Sequence, residues 1–224
     1  KEPRLLGSFY FQSSVPTEKG QVQVITDAGI TLGFKTFNTD TFDIKYTKEE
    51  RKGKTYHTWT ATNMPKYKHE SSTLSVTYFI PHIILYIESY TTKQGKQNVL
   101  SSLDDLHNWY YSLVKDINTK DNSSLKPIVD SLVQNTKTDL EKVKNIYAWV
   151  QSHIKYIAFE DGYGGFVPRE AVDICEKRYG DCKDMSSIIT EMLELANVKA
   201  DLTWIGTRDI PYTYNEVFTP NVDN

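Results

Sequence analysis

From Lys96 to Asp161 the sequence contains no glycine and a single proline, Pro127. The residues before this stretch are punctuated by both, among them Pro16, Gly20, Gly29, Gly33, Gly53, Pro65 and Pro81. Glycine and proline are the residues that helix interiors tolerate least and that turns use most. The chain therefore changes secondary-structure type near residue 95. Ahead of that point Thr, Tyr, Phe, Val and Ile dominate, and Gln21-Val22-Gln23-Val24-Ile25-Thr26 alternates with period two. His57-Thr58-Trp59-Thr60-Ala61-Thr62 does the same, placing Trp59 and Ala61 on one face of a sheet. Several such short strands separated by turns predict an antiparallel β-sandwich over residues 1–95.

Beyond Gly95 the apolar residues recur at helical spacing. Leu103, Leu106, Tyr110, Leu113, Val114 and Ile117 mark one helix, with Ser102 and Asp105 placed to cap it. Leu125, Ile128, Val129, Leu132 and Val133 mark a second, with Pro127 in the first turn, where its missing N–H is harmless. Thr138 and Glu141 form a capping-box signature ahead of a third, whose stripe runs through Val143, Ile146, Tyr147, Val150, Ile154 and Ile157. Gly162, Gly164 and Gly165 then open a loop. A short helix is expected from Pro168 to about Arg178, ended by Gly180 as a left-handed residue. The next runs from Cys182 to about Ala196 with Met185, Ile188, Ile189, Met192, Leu193 and Ala196 inward. Ala200, Leu202, Trp204 and Ile205 read as a strand.

Composition closes off several functions. The net charge is −3, and no run of Lys and Arg resembles a nucleic-acid footprint, so a nucleic-acid partner is not expected. The longest apolar stretch, Phe79 to Ile87, is far shorter than the ~20 residues a membrane helix needs. No start with the pattern of a secretory leader is visible. Cys175 and Cys182 supply neither the ligand number nor the histidine partners of a zinc site, and no metal or cofactor is expected. A bridge between them would need a specific Cβ geometry that two helical positions do not offer.

Cys182 is the residue whose position carries chemistry. The thiolate is the attacking form of cysteine, and unpaired N–H groups at a helix N-terminus stabilise it and can later hold an oxyanion. Lys183 and Arg178 would add to that effect, and Asp181 and Asp184 would oppose it. The plainer alternative is that Cys182 is a small buried hydrophobe, as most free cysteines are. Cys175, beside Ile174 in mid-helix, has no terminus to activate it.

Arg178-Tyr179-Gly180-Asp181-Cys182-Lys183-Asp184 resembles the nucleophile motif of bacterial members of the transglutaminase-like superfamily. Ile146-Tyr147-Ala148-Trp149-Val150 and His153-Ile154-Lys155-Tyr156 resemble the helix that precedes it. The likeness covers Val143 to Gly206. The part containing Tyr56 to Pro65 resembles a domain of unknown function that commonly precedes this core in bacterial multidomain proteins.

The resemblance implies an α+β fold: an N-terminal antiparallel β-sandwich, residues 1–95, followed by a papain-like core, residues 96–224, in which the Cys182 helix packs on an antiparallel sheet. It implies acyl transfer, with Cys182 attacking a peptide or carboxamide carbonyl of a protein or peptide substrate. Hydrolysis is the expected outcome, and an extracytoplasmic location the expected setting. Such a cysteine needs a histidine and an acidic or amide partner, both of which follow it in the family. His57, His69, His82, His107 and His153 all precede Cys182. The loop Pro220-Asn221-Val222-Asp223-Asn224 resembles the segment just before the histidine strand. The expectation is therefore a core incomplete at its C-terminus and inactive by itself, with His153 a half-buried helix residue rather than a substitute base. Trp149 and Tyr156 are expected in the core and cleft wall, and Gly162–Gly165 with Tyr163 along a substrate cleft. The alternative is a noncatalytic module that binds protein or polysaccharide and keeps a relic cysteine core.

Overall fold

The computed structural model describes residues 2–68, 70–158 and 162–220; His69 and the expected loop end at Asn221–Asn224 lie outside the described residues. The chain divides into two compact units, residues 1–107 with 204–224, and residues 108–203.

The first unit is built from β1 (Ser8–Tyr10), β2 (Thr17–Asp27), β3 (Ile30–Phe37), β4 (Asp43–Arg51), β5 (Lys54–Met64), β6 (His82–Thr92) and β7 (Gly95–Asn98). They form two antiparallel sheets, one ordered β1-β6-β3 with β7 also on β6, the other β2-β5-β4. The period-two reading holds: Val22 pairs with Trp59 and Val24 with His57, and Trp59 and Ala61 are buried together. They join Leu32 of β3 and Ile83 and Leu85 of β6 in one apolar cluster, so both sheets turn a face to the same core. Gly33 is needed where it stands. A Cβ there would lie 2.2 Å from the ring of Tyr86, its cross-strand partner.

The other face of β6 is covered within the same unit. His82, fully buried, lies between the rings of Tyr10 and Phe37 at 5.1 and 5.3 Å. Its Nδ1–H donates to the Ile80 carbonyl oxygen at 2.6 Å, which leaves Nε2 to accept from the hydroxyl of Tyr212. Burial lowers its pKa, opposed only in part by the bond to Ile80, so the ring is held neutral.

The second unit is helical. α1 (Leu103–Val114) runs across the division, followed by α2 (Lys126–Val133), α3 (Asp139–His153), β8 (Lys155–Tyr156), α4 (Ala171–Lys177), β9 (Tyr179–Gly180) and α5 (Cys182–Leu195). The helix starts follow the local chemistry of the sequence. Ser102 Oγ accepts from the Asp105 N–H, Pro127 sits in the first turn of α2, and Thr138 with Glu141 closes a capping box on α3. Helices of this length are marginal alone. Their stability comes from a shared core of Leu125, Val129, Ile146, Val150, Ile154, Ile174, Ile188 and Met192, each large side chain worth about 1.5–3 kcal/mol on full burial.

Several expectations are corrected. α3 ends at His153 rather than carrying on to Ile157, because Ile154 turns extended and Lys155–Tyr156 pairs in parallel with Tyr179–Gly180. Tyr147 and Ile157, assigned to the inward stripe, are exposed. α4 begins at Ala171, three residues after Pro168, and the left-handed residue that ends it is Arg178, at φ 60°. Gly180 instead lies in β9. The expected strand from Ala200 to Ile205 is not a strand, since no described segment offers it a ladder of backbone partners. Within its unit α5 packs on α2, α3, α4 and β9, whose partner β8 runs parallel to it, in place of the expected antiparallel sheet.

Candidate active site

Cys182 is the first residue of α5, where a backbone N–H has no intrahelical acceptor. It is exposed, and among the described residues its thiol makes no hydrogen bond, so it is not the buried hydrophobe of the plainer reading. Cys175 is that residue: it is buried in the helical core, and burial pushes its thiol pKa up. Neither cysteine is in a disulfide.

The helix start behind Cys182 is unusually charged for its burial. Asp181 caps α5, accepting from the Asp184 N–H at 3.2 Å, and Asp184 accepts from the Asp181 N–H at 3.2 Å. Both carboxylates are at most 1% exposed. A buried carboxylate is costly unless it is paired and hydrogen-bonded. Lys183 pairs with Asp181. Arg169 pairs with Asp184 through Nε at 3.0 Å, Nη2 at 2.8 Å and its own backbone N–H at 2.8 Å. Burial pushes Asp184 up, but the bonds from Arg169 and Asp181 and the guanidinium charge outweigh it and hold the carboxyl below its ordinary value.

Arg169 reaches further. Nη2 also donates to the Tyr179 carbonyl oxygen at 2.9 Å, and the guanidinium lies 4.9 Å from the centre of the Tyr179 ring. One side chain thus holds β9 to the first turn of α5. The space between them explains Gly180, where a Cβ would meet Asp184 Cβ at 2.7 Å and Arg169 Nη2 at 3.3 Å. The strand is held from its other side by Lys155 N–H on Arg178 O at 2.8 Å and Ile157 N–H on Gly180 O at 2.9 Å. Asn118 ties the same helix to the start of α4, since its Oδ1 accepts from Ala171 N–H at 2.8 Å and Ser187 Oγ at 3.2 Å.

Other sequence candidates fall elsewhere. Arg178 stacks over Trp149 at 5.2 Å, away from the role of thiol neighbour. His153 is exposed, not half-buried; its Nδ1 donates to Trp149 O at 2.9 Å and its ring stacks on Trp149 at 4.6 Å. Among the described residues, Ser152 and Trp149 are its partners. Tyr156 is exposed. Gly162–Gly165 is a 3-10 turn with Tyr163 half exposed, and Phe166 beyond it meets the edge of Trp109 at 5.2 Å.

Two residues that the sequence did not single out belong to the site. Arg169 is one. The other is Tyr110 of α1, whose hydroxyl pKa is raised by burial and, to a lesser extent, by Cys182. Tyr110 showed only as part of a helical stripe, and Arg169 only as a charge in the first turn of the helix expected from Pro168; neither carries a local signal of what it approaches.

Residues 126–220 match the model of the transglutaminase-like superfamily. That segment contains Arg169, Cys182 and Asp184. Among solved structures the chain is similar to a candidate protease from Parabacteroides distasonis ATCC 8503, with TM-score 0.64 and 16% identity over 87% of this chain and 35% of that one. A candidate cysteine protease from Cytophaga hutchinsonii matches with TM-score 0.30 and 14% identity, over 85% of this chain and 61% of that one. The first likeness is one of fold, α+β with antiparallel sheets and helices, and the chain spans about a third of that structure's length. No curated protein matches the sequence. Among the described residues no helix is long and apolar enough to cross a membrane.

Proposed function

We propose that Cys182 is the nucleophile of a cysteine acyl-transfer enzyme that cleaves peptide or carboxamide bonds. The observation that carries this reading is the exposed thiol on the first residue of α5, inside the segment that matches the superfamily. The sulfur attacks the carbonyl carbon, and the developing oxyanion is held by the N–H groups of the helix start. The C–N bond breaks as the amine leaves with a proton, and a thioester remains. Water then attacks the thioester, releasing the carboxylic acid and restoring the thiol. His153 is not assigned as the proton acceptor for the first step, since it is bound to its own helix.

In support of the reading, Cys182 is open to solvent where Cys175 is buried. The test offers the protein a peptide library and a glutamine-amide substrate. Release of peptide fragments or ammonia that disappears in Cys182→Ala supports the reading. Turnover that survives Cys182→Ala overturns it.

A further inference from the structure

The charges at the start of α5 are arranged against what a helix cap alone requires. An amide would cap the helix as well as a carboxylate does and would not bury a charge. Asp184 is nonetheless a carboxylate, almost wholly buried, within the same helical turn as Cys182. Left unpaired, it would set a negative charge beside the thiolate and offset the positive end of the helix. Arg169 answers it from fifteen residues away with two guanidinium bonds and a backbone bond. Lys183 pairs with Asp181 through its ammonium group.

We propose that Arg169 is a positioning residue for Cys182, neutralising the buried Asp184 carboxylate so that the positive end of α5 is available to the thiolate. The inference rests on the reading of Cys182 as nucleophile, and it extends that reading to a residue with no direct contact to the reacting atoms. A clamp that acted only by shape would respond alike to loss of either partner. A charge pair responds with opposite signs.

Cys182 alkylation by iodoacetamide is followed across pH by mass spectrometry on the 224-residue chain, with circular dichroism confirming the fold of each variant. Arg169→Gln leaves Asp184 unanswered, so its pH–rate profile moves to higher pH, with alkylation at neutral pH slower by about tenfold for a displacement of roughly one unit. Asp184→Asn removes a negative charge from the first turn of α5 and moves the profile to lower pH. Arg169→Lys and the double variant Arg169→Gln/Asp184→Asn, which keep the first turn balanced in charge, return the parent profile. Should Arg169→Gln fail to fold, the opposite displacement of Asp184→Asn and the parent-like double variant still decide the matter. Equal slowing in Arg169→Gln and Asp184→Asn without displacement, or a displaced double variant, overturns the inference. A parent Cys182 no more reactive than an unfolded cysteine overturns the nucleophile reading, and the inference with it.

Discussion

α3 and α5 begin with the same device in different surroundings. On α3, Thr138 Oγ1 accepts from the Glu141 N–H at 3.2 Å and Glu141 accepts from the N–H groups of Thr138 at 3.1 Å and Lys137 at 2.5 Å, all on the surface. On α5 the box is made of two aspartates, both buried, each tied to a cation, with a glycine behind them and a cysteine as the first helical residue. The first box starts a helix. The second does that too, but it also holds β9, α5 and the loop carrying Arg169 in one arrangement, at a desolvation cost a simple start does not need. Where a local motif exceeds its local purpose, the excess points to the site.

The contrast can be broken most sharply by removing each box. Asp184→Ala removes the carboxylate that accepts from Arg169 and the reciprocal half of the α5 capping box, and a loss of about 3–5 kcal/mol is expected in urea unfolding. A loss under 1 kcal/mol would place the two boxes in the same class. The same pair can be approached by titration. The folded pKa of Asp184 lies below its unfolded value, so its contribution is fully present above about pH 4 and is lost as pH falls through the folded value. Unfolding midpoints measured down the acid limb should fall in the parent and fall less steeply in Asp184→Asn.

Gly180→Ala tests the steric half of the contrast. A Cβ 2.7 Å from Asp184 Cβ forces β9 or α5 to move, and a loss of about 1–3 kcal/mol is expected. Unchanged stability would show that the close approach is not required. On α3, Thr138→Ala removes a cap that is exposed and joined to nothing else, and about 1 kcal/mol is expected. A larger loss there would mean that the surface box also supports tertiary structure.

These differences also mark what the sequence made legible. The α3 box, the Pro127 start of α2 and the Ser102–Asp105 cap were readable because each is decided within four residues. The alternation that puts Trp59 and Ala61 in the core was readable for the same reason, since strand period needs no knowledge of partners. Cys182 was legible as a helix-start cysteine within a motif. The pairing of Arg169 with Asp184 was not, because it joins residues fifteen apart whose individual letters are ordinary surface charges. Gly180 was misread because a glycine after a helix signals a left-handed turn, and the stronger constraint here is a side chain from the next helix. The end of α3 and the missing strand near Trp204 failed alike: apolar spacing continued, but pairing to β9 ended the one and the lack of a partner left the other unformed.

If the start of α5 activates Cys182, the two cysteines of the chain provide an internal comparison. Competitive labelling of the folded chain with limiting iodoacetamide at pH 7, against a peptide spanning Gly180 to Ser186, measures this directly. Cys182 should label several-fold faster than the same cysteine in the peptide, while Cys175, buried in the core, stays unmodified until the chain unfolds. Labelling of Cys182 at or below the peptide rate would contradict the claim that the start of α5 prepares a nucleophile.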